Sequence, residues 1–258
     1  MIPDDKLLQP ERLDRIKSAI EAKKTVKVSE LSQACMVSEN TIRRDLIELE
    51  EMGYCLRTKG GATLLEQIHD QSPFSNRLAI QKKGKHNIAI KASTLVGSGS
   101  TIILDSGTTA LELAEELSKK DHITIITPSL AAAEILSGIN GITLILPGGI
   151  VNQFSRSLTG QPAEQFFAGI HVDILFLAVK AVSLKTGLSD HTLIESAVKQ
   201  QMIKAADRVI VLADHSKLGK NALSRICSIE EIDTLITDES ADPDFIAKLE
   251  DAGISVII

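Results

Sequence analysis

The chain has 258 residues, 43% hydrophobic and 24% charged, with a formal net charge of −6. That length holds one large domain or two smaller ones around a sizeable core, and the mix excludes disorder along the whole chain. The acidic balance excludes a protein that coats nucleic acid with its whole surface. Residues 1–65 hold 11 Lys/Arg and 11 Asp/Glu, so the surplus of acidic charge falls beyond them and any DNA contact needs a local basic cluster.

No stretch approaches the ~18 apolar residues of a spanning helix; even 172–182 carries Asp173 and Lys180. Met1-Ile-Pro-Asp-Asp-Lys lacks the basic-then-apolar start of a secretory signal. Cys35, Cys55 and Cys227 are too few and scattered for a disulfide framework or a closed zinc site. A reducing, cytoplasmic setting is expected, with no membrane, metal or cofactor. Trp is absent and Tyr occurs once, so stacking platforms for single-stranded nucleic acid are not expected.

The first elements are helical. Residues 10–22 place Leu13, Ile16, Ala19 and Ile20 on one face. Residues 28–34 make a short second helix, with Ser29 as its expected cap. Ser38 caps a third helix over 39–52, whose buried stripe is Ile42, Leu46 and Leu49 and which Gly53 ends. Residues 54–64 form a hairpin turning at Lys59-Gly60-Gly61. Periodicity is lost from Leu65 to Asn76, where a linker begins. Beyond it, short apolar strands at 101–104, 123–127, 142–146, 173–179, 208–213, 234–237 and 254–258 alternate with helices at 108–119, 130–137, 161–168, 192–206 and 243–251. Such strands between helices predict a mostly parallel sheet covered on both faces.

Two short helices joined by Cys35-Met-Val, then a hairpin, describe a winged helix-turn-helix. Opposite the buried stripe, the third helix carries Asn40 and Arg44, flanked by Thr41 and Arg43. All lie in its first half; Glu48, Glu50 and Glu51 fill the second. The helix is therefore expected to enter the major groove by its N-terminal end, with Ser38 at that end and Arg57 and Lys59 on the wing. An arginine matches guanine and an asparagine adenine. The alternative is a plain bundle whose arginines pair with Asp45, Glu48 and Glu51.

The stretch Val37-Ser-Glu-Asn-Thr-Ile-Arg-Arg-Asp-Leu-Ile-Glu-Leu-Glu-Glu-Met-Gly53, followed by Arg57-Thr-Lys-Gly-Gly-Ala62, closely resembles the DNA-binding domain of DeoR-type bacterial transcription regulators. Pro73-Phe-Ser-Asn-Arg77 resembles that family's linker. Asp105-Ser-Gly-Thr-Thr109, Leu146-Pro-Gly-Gly149 and Leu212-Ala-Asp-His-Ser-Lys-Leu-Gly219 resemble its sensor motifs, in family order. The resemblance implies a winged domain at 1–64, a linker at 65–80 and a sensor domain at 81–258. The sensor is expected to be doubly wound and to share the fold of ribose-phosphate isomerases and glucosamine-phosphate deaminases.

The residues point to a ligand site as well. Asp105-Ser-Gly-Thr-Thr109 leaves a strand at its carboxyl end and opens a helix, where ligands of open α/β sheets bind. Helix N–H groups with the hydroxyls of Ser106, Thr108 and Thr109 make an anion cradle, and Gly107 permits close approach. Simple capping by Ser106 is the alternative. Thr127-Pro-Ser129, Gly148-Gly149 and Thr159-Gly160 fall at neighbouring strand and helix ends. Asp214 suits sugar hydroxyls and Lys217 a phosphate. The resemblance places Glu195 and Lys199 beside the same pocket, although their i, i+4 spacing also suits a surface ion pair. Two positions depart from the family pattern: Lys180 where an acidic residue often stands, and Pro128 where Asn is common. A cation at the rim favours a more anionic ligand.

The expected function is a transcription regulator, a repressor, that binds double-stranded operator DNA. A phosphorylated sugar or sugar acid controls its DNA affinity, and a homo-oligomer, dimer or tetramer, is expected. One rival is a sugar-phosphate isomerase or deaminase with a helical appendage; Lys180 in place of a carboxylate counts against it. The other is a protein–protein module whose winged domain only dimerises.

Overall fold

The computed structural model describes residues 9–51, 54–64 and 74–258. These fall into two compact units, one within 1–82 and one within 83–258.

The first unit runs α1 (Gln9–Lys23), β1 (Thr25–Lys27), α2 (Val28–Cys35), α3 (Glu39–Glu51), β2 (Cys55–Thr58), β3 (Gly61–Leu64) and α4 (Phe74–Ala79). Leu13, Ile16 and Ile20 of α1 pack against Val28 and Leu31 of α2 and against Ile42, Leu46 and Leu49 of α3. Each such side chain contributes about 1.5–3 kcal/mol through burial. As expected, Ser38 caps α3: its Oγ accepts from the Thr41 N–H at 3.1 Å.

Three local expectations need correction. The expected cap at Ser29 is replaced by entry from a strand. Lys27 precedes α2 without a side-chain cap, and the Val28 N–H donates to the Gly60 carbonyl of the wing turn at 2.8 Å. That strand, β1, completes a three-stranded wing in the order β1-β3-β2. Three residues are too few to show a period of two. Part of the expected linker is helical, since α4 begins at Phe74, which is buried with the Arg77 guanidinium 5.6 Å from its ring centroid. Six residues hold under two helical turns, so periodicity could not reveal it. Gly53, the expected end of α3, and 65–73, the rest of the linker's first part, lie outside the described residues.

The second unit continues α5 (Lys82–Ser93), β4 (Thr101–Leu104), α6 (Thr108–Leu117), β5 (Ile123–Ile126), α7 (Leu130–Leu136), β6 (Ile142–Ile145), β7 (Ile150–Asn152), β8 (Ser157–Thr159), α8 (Gln161–Ala168), β9 (Val172–Ala178), β10 (Ala181–Ser183) and β11 (Gly187–Asp190). It ends with α9 (Leu193–Lys204), β12 (Ala206–Leu212), β13 (Ser224–Cys227), β14 (Thr234–Ile236), α10 (Pro243–Asp251) and β15 (Ser255–Ile257).

Seven strands form a wholly parallel sheet in the order β15-β14-β12-β9-β4-β5-β6. Alternation divides each strand between two cores. Leu175, Leu177, Val209 and Val211 pack with α8, α9 and α10; Ile174, Phe176, Ile210 and Leu212 pack with α5, α6 and α7. The sheet is thus doubly wound, as the alternating pattern predicted. The sequence reading missed α5, whose Lys82-Lys-Gly-Lys start hides the buried Ile88, Ala89 and Ala92. It also missed the β7–β8 hairpin and the small antiparallel sheet β10-β11-β13, all built from strands of three or four residues.

The order of strands locates a crevice. From β4 the chain moves outward through β5 and β6. From β9 it moves the other way through β12, β14 and β15. The carboxyl ends of β4 and β9 therefore flank the topological switch point, where open α/β sheets bind ligands.

Candidate functional site

In the first unit, Ser38, Asn40, Arg43 and Arg44 are exposed in or just before the first half of α3 and Thr41 is half-buried. Arg43 is tied down within its own helix. It donates to Asn40 Oδ1 at 2.9 Å and to Glu39 Oε2 at 2.5 Å. Arg44 is exposed and, among the described residues, makes no ion pair. On the wing Lys59 is exposed, while the Arg57 guanidinium lies 3.8 Å from Glu50 and the Arg57 N–H donates to that carboxylate at 2.9 Å. The bundle alternative pairs the arginines with Asp45, Glu48 and Glu51. Asp45 does accept a two-point contact from an arginine, Arg12, at 2.6 and 2.9 Å, whereas Glu48 accepts from Gln9 at 2.7 Å; the Glu51 side chain lies outside the described residues. Arg12 and Asp45 are both largely buried, a structural role that sequence spacing did not reveal.

In the second unit, a shallow cleft lies at the switch point, with about 190 Å³ of empty space when the adjoining open solvent is included. It is lined by Asp105, Ser106, Pro128, Ser157, Leu158, Thr159, Glu195, Val198, Lys199 and Met202. Asp105 follows β4, Pro128 lies two residues past β5, Ser157–Thr159 is β8, and the last four belong to α9.

Its floor is an ion cluster. The Lys199 ammonium donates to Asp190 Oδ2 and to the Ala178 carbonyl, both at 2.6 Å, and lies 3.2 Å from Asp105 Oδ2. Asp105 Oδ2 also accepts from the Ala178 N–H at 3.1 Å, bridging β4 to β9 across the switch point. All three side chains are buried. Burial pushes the Asp105 carboxyl up, with the Lys199 charge opposing it. Burial also opposes ionisation of Asp190, but Lys199 outweighs it and holds Asp190 below the usual range, with help from Lys180. Burial likewise opposes the charge on Lys199, yet Asp105 and Asp190 outweigh it and hold the ammonium firmly protonated. A simple surface pair between Glu195 and Lys199 is not what forms: Glu195 Oε2 accepts from the Thr192 hydroxyl at 2.9 Å instead.

Around this floor stand helix starts without side-chain caps. Gly107 precedes α6 at φ +123° and Gly160 precedes α8, and neither start has a side-chain cap. By contrast, Ser129 caps α7 and Thr192 caps α9. Ser106, Thr108 and Thr109 are buried about the α6 turn. Gly149 lies at φ +151°, and a Cβ there would stand 2.7 Å from the Thr159 carbonyl, so that position needs glycine.

Of the expected effector residues, Asp105, Ser106, Glu195 and Lys199 line the cleft. Gly107, Thr108 and Thr109 are not in its lining and follow Ser106 into α6, and Gly148, Gly149 and Gly160 shape the β7–β8 hairpin and the start of α8. Lys180 is half-buried beyond β9, and its charge acts on Asp190. Asp214 and Lys217 leave β12, two strands from β4 on the same edge. Asp214 Oδ1 accepts from the Ser216 N–H at 3.0 Å and from the Ser216 hydroxyl, which commits it to its own turn. Lys217 is half-buried and, among the described residues, makes no ion pair. Asp190, Ser157, Val198 and Met202 were missed. Asp190 ends a four-residue strand and carries no motif.

Residues 12–68 match the family model of the DeoR-like helix-turn-helix domain, and 80–239 that of the DeoR C terminal sensor domain. The chain belongs to the DeoR family of transcriptional regulators. It is 36% identical over 248 residues to the HTH-type transcriptional regulator GolR of Listeria innocua, covering 96% of this chain and 98% of that one. It is 33% identical over 258 residues to the HTH-type transcriptional repressor GlcR of Bacillus subtilis, covering 98% and 97%. Among solved structures it is similar to ribose 5-phosphate isomerase A of Methanocaldococcus jannaschii, at 22% identity and a TM-score of 0.39 over 53% of this chain and 54% of that one.

As a DeoR-family member the chain is a regulator, and the enzyme rival is set aside: these full-length relatives are named as regulators. The helix-turn-helix implies DNA binding and the sensor domain a small effector. Among the described residues, no helix is long and apolar enough to cross a membrane, and no group of three or more His, Cys, Asp or Glu is placed to hold a metal ion.

Proposed function

We propose that this DeoR-family protein is a repressor whose operator affinity is set by a phosphorylated sugar or related anionic metabolite bound at the switch point of the sensor unit. The observation that carries the reading is the α6 turn. A glycine-capped helix start, with no side chain on its N–H groups, opens beside the cleft among the buried hydroxyls of Ser106, Thr108 and Thr109. Backbone N–H groups and the positive end of a helix favour an anion there. In this reading Lys217, on the loop that leaves β12 at the same edge of the sheet, serves the same anion. The DNA reading rests on Arg44, exposed on the N-terminal half of α3, with Asn40, Arg43 and the wing residues Arg57 and Lys59 beside it. We keep the division into a winged unit at 1–64, a connection at 65–80 and an effector unit from 81 on.

Regulation follows by linkage: an effector that binds the DNA-free arrangement more tightly weakens DNA binding by the same factor. A homo-oligomer fits this scheme, since paired half-sites need paired readers. Exposed Ile150, Val151, Phe154, Leu193 and Ile194 give the sensor unit apolar surface for self-association.

The test uses the full chain on a duplex selected by the protein from a random-sequence library. Sugar phosphates are expected to release the wild-type protein, while Thr108→Ala and Lys217→Ala stay bound. Release that is unchanged in both variants, or no release by any phosphorylated sugar, would sink the proposal.

A further inference from the structure

The cleft is lined by one cation, Lys199, and that cation is fully occupied. An ammonium has three N–H donors, and three oxygens lie within 3.2 Å of this one: Asp190 Oδ2, the Ala178 carbonyl and Asp105 Oδ2. With its side chain 7% exposed, Lys199 has no donor left for a ligand. It positions Asp105 and Asp190 rather than meeting the effector. Lys180 does not line the cleft, is itself engaged, and offsets Asp190.

What remains facing the space is of the opposite character. Glu195 is half-buried on the cleft wall. Its carboxylate accepts one hydrogen bond, from the Thr192 hydroxyl, and among the described residues it makes no ion pair. A carboxylate has about four acceptor sites, so most of its capacity is open. Ser106, Ser157 and Thr159 add hydroxyls, and Leu158, Val198 and Met202 add apolar wall.

Resting on the effector reading above, we propose that the cleft selects a ligand whose non-phosphate end is rich in hydrogen-bond donors and neutral or positively charged, hydroxyls or an amine, and rejects a carboxylate there. Glu195 sets that choice. The phosphate belongs at the α6 turn, whose start carries no side-chain cap; the cleft itself meets an anion with the Glu195 carboxylate, which makes no ion pair among the described residues. This reverses the preference that Lys180 suggests from sequence, because Lys180 does not line the cleft and Glu195 does.

The test compares ligands that differ at one end only. Calorimetric titration of the full chain would use glucose 6-phosphate, glucosamine 6-phosphate and 6-phosphogluconate, a five-carbon pair of ribose 5-phosphate and 5-phosphoribonate, and inorganic phosphate as reference. At least one neutral or amino ligand is expected to bind about tenfold or more tighter than its matched acid, since like charges within one cleft repel by well over the energy of a factor of ten. Glu195→Gln, which keeps the shape, is expected to shrink that ratio to about threefold or less by improving the acid. An acid that binds as well as its neutral partner overturns the proposal and leaves the phosphate reading intact. An unchanged ratio in Glu195→Gln overturns the role of Glu195. Binding of inorganic phosphate alone keeps the anion turn and overturns the assignment of the cleft. No binding by any of the six overturns both.

Discussion

The winged unit and the sensor unit use charge in opposite ways. In the winged unit, the residues proposed to read DNA stay at the surface: Arg44 is exposed and makes no ion pair among the described residues, and Lys59 is exposed at the turn of the hairpin. Among its described residues one buried ion pair, Arg12 with Asp45, joins α1 to α3. In the sensor unit the charges are buried in the site itself. Asp105, just past β4, meets Asp190 of β11 and Lys199 of α9 at the switch point. A surface that meets a polyanion works with solvated, mobile cations. A cleft that meets a small molecule works with side chains whose freedom is already spent.

Breaking the two buried pairs is the sharpest way to probe this contrast. Lys199→Met removes the ammonium that bridges two buried carboxylates, and is expected to cost the sensor unit about 3–5 kcal/mol while sparing the winged unit. Urea unfolding of the full chain, followed by probes in each unit, reads this; an unchanged sensor transition would show that the cluster is not the anchor described here. Arg12→Met strands Asp45 at the edge of a smaller core. Because the pair is slightly open to solvent, the expected loss is lower, about 2–3 kcal/mol, and confined to the winged unit.

The surface residues predict smaller effects, on binding rather than folding. Arg44→Ala is expected to lose about 1–3 kcal/mol of operator affinity and to relax one base position, and Lys59→Ala to weaken all sequences alike and flatten the salt dependence by about one unit. Anisotropy titrations across a salt series distinguish the two. Equal affinity in wild type and Arg44→Ala would place the reading face elsewhere.

The smallest expected effect is a pH dependence at the carboxyl edge of the sheet. His215 Nδ1 lies 2.8 Å from Asp238 Oδ1, and the His215 N–H donates to the other oxygen at 2.8 Å. The hydrogen bond to Asp238 raises the His215 pKa, with burial opposing it. Burial opposes ionisation of Asp238 too, but the bonds from His215 and Ser240 outweigh it and bring its pKa to about 2. Since His215 is raised, its contribution is complete below the ordinary histidine value and is lost as pH climbs through the raised one. Since Asp238 is lowered, its contribution holds above the ordinary aspartate value of 3.8 and is lost as pH falls through about 2. Thermal melts of His215→Gln should therefore match wild type at alkaline pH and fall below it in mildly acidic buffer. A gap that does not close at high pH would mean that the imidazole acts by packing alone.

How much could be read in advance differed between the units for a physical reason. The stripe Ile42, Leu46, Leu49 and the opposite face with Asn40 and Arg44 are consequences of a 3.6-residue period, which thirteen residues of α3 display fully. The parallel sheet was equally legible, because strands buried on both faces are nearly all apolar. The wing strand β1, the β7–β8 hairpin and α4 were not. Each is held by pairing or packing with distant segments and is shorter than any period that would betray it.

The sequence by itself determined the two kinds of fold, the exposed polar side of α3 and the turn at Asp105-Ser-Gly-Thr-Thr109, since each depends on neighbours within one helix or one strand-to-helix turn. Only the tertiary structure decided that Lys199 belongs to Asp105 and Asp190 rather than to Glu195 four residues earlier, and that Glu195 is left facing the cleft. Pairing among buried charges is settled by distance and desolvation. A lysine nine residues beyond Asp190 and some ninety beyond Asp105 is brought to both only when β4, β11 and α9 close over the switch point.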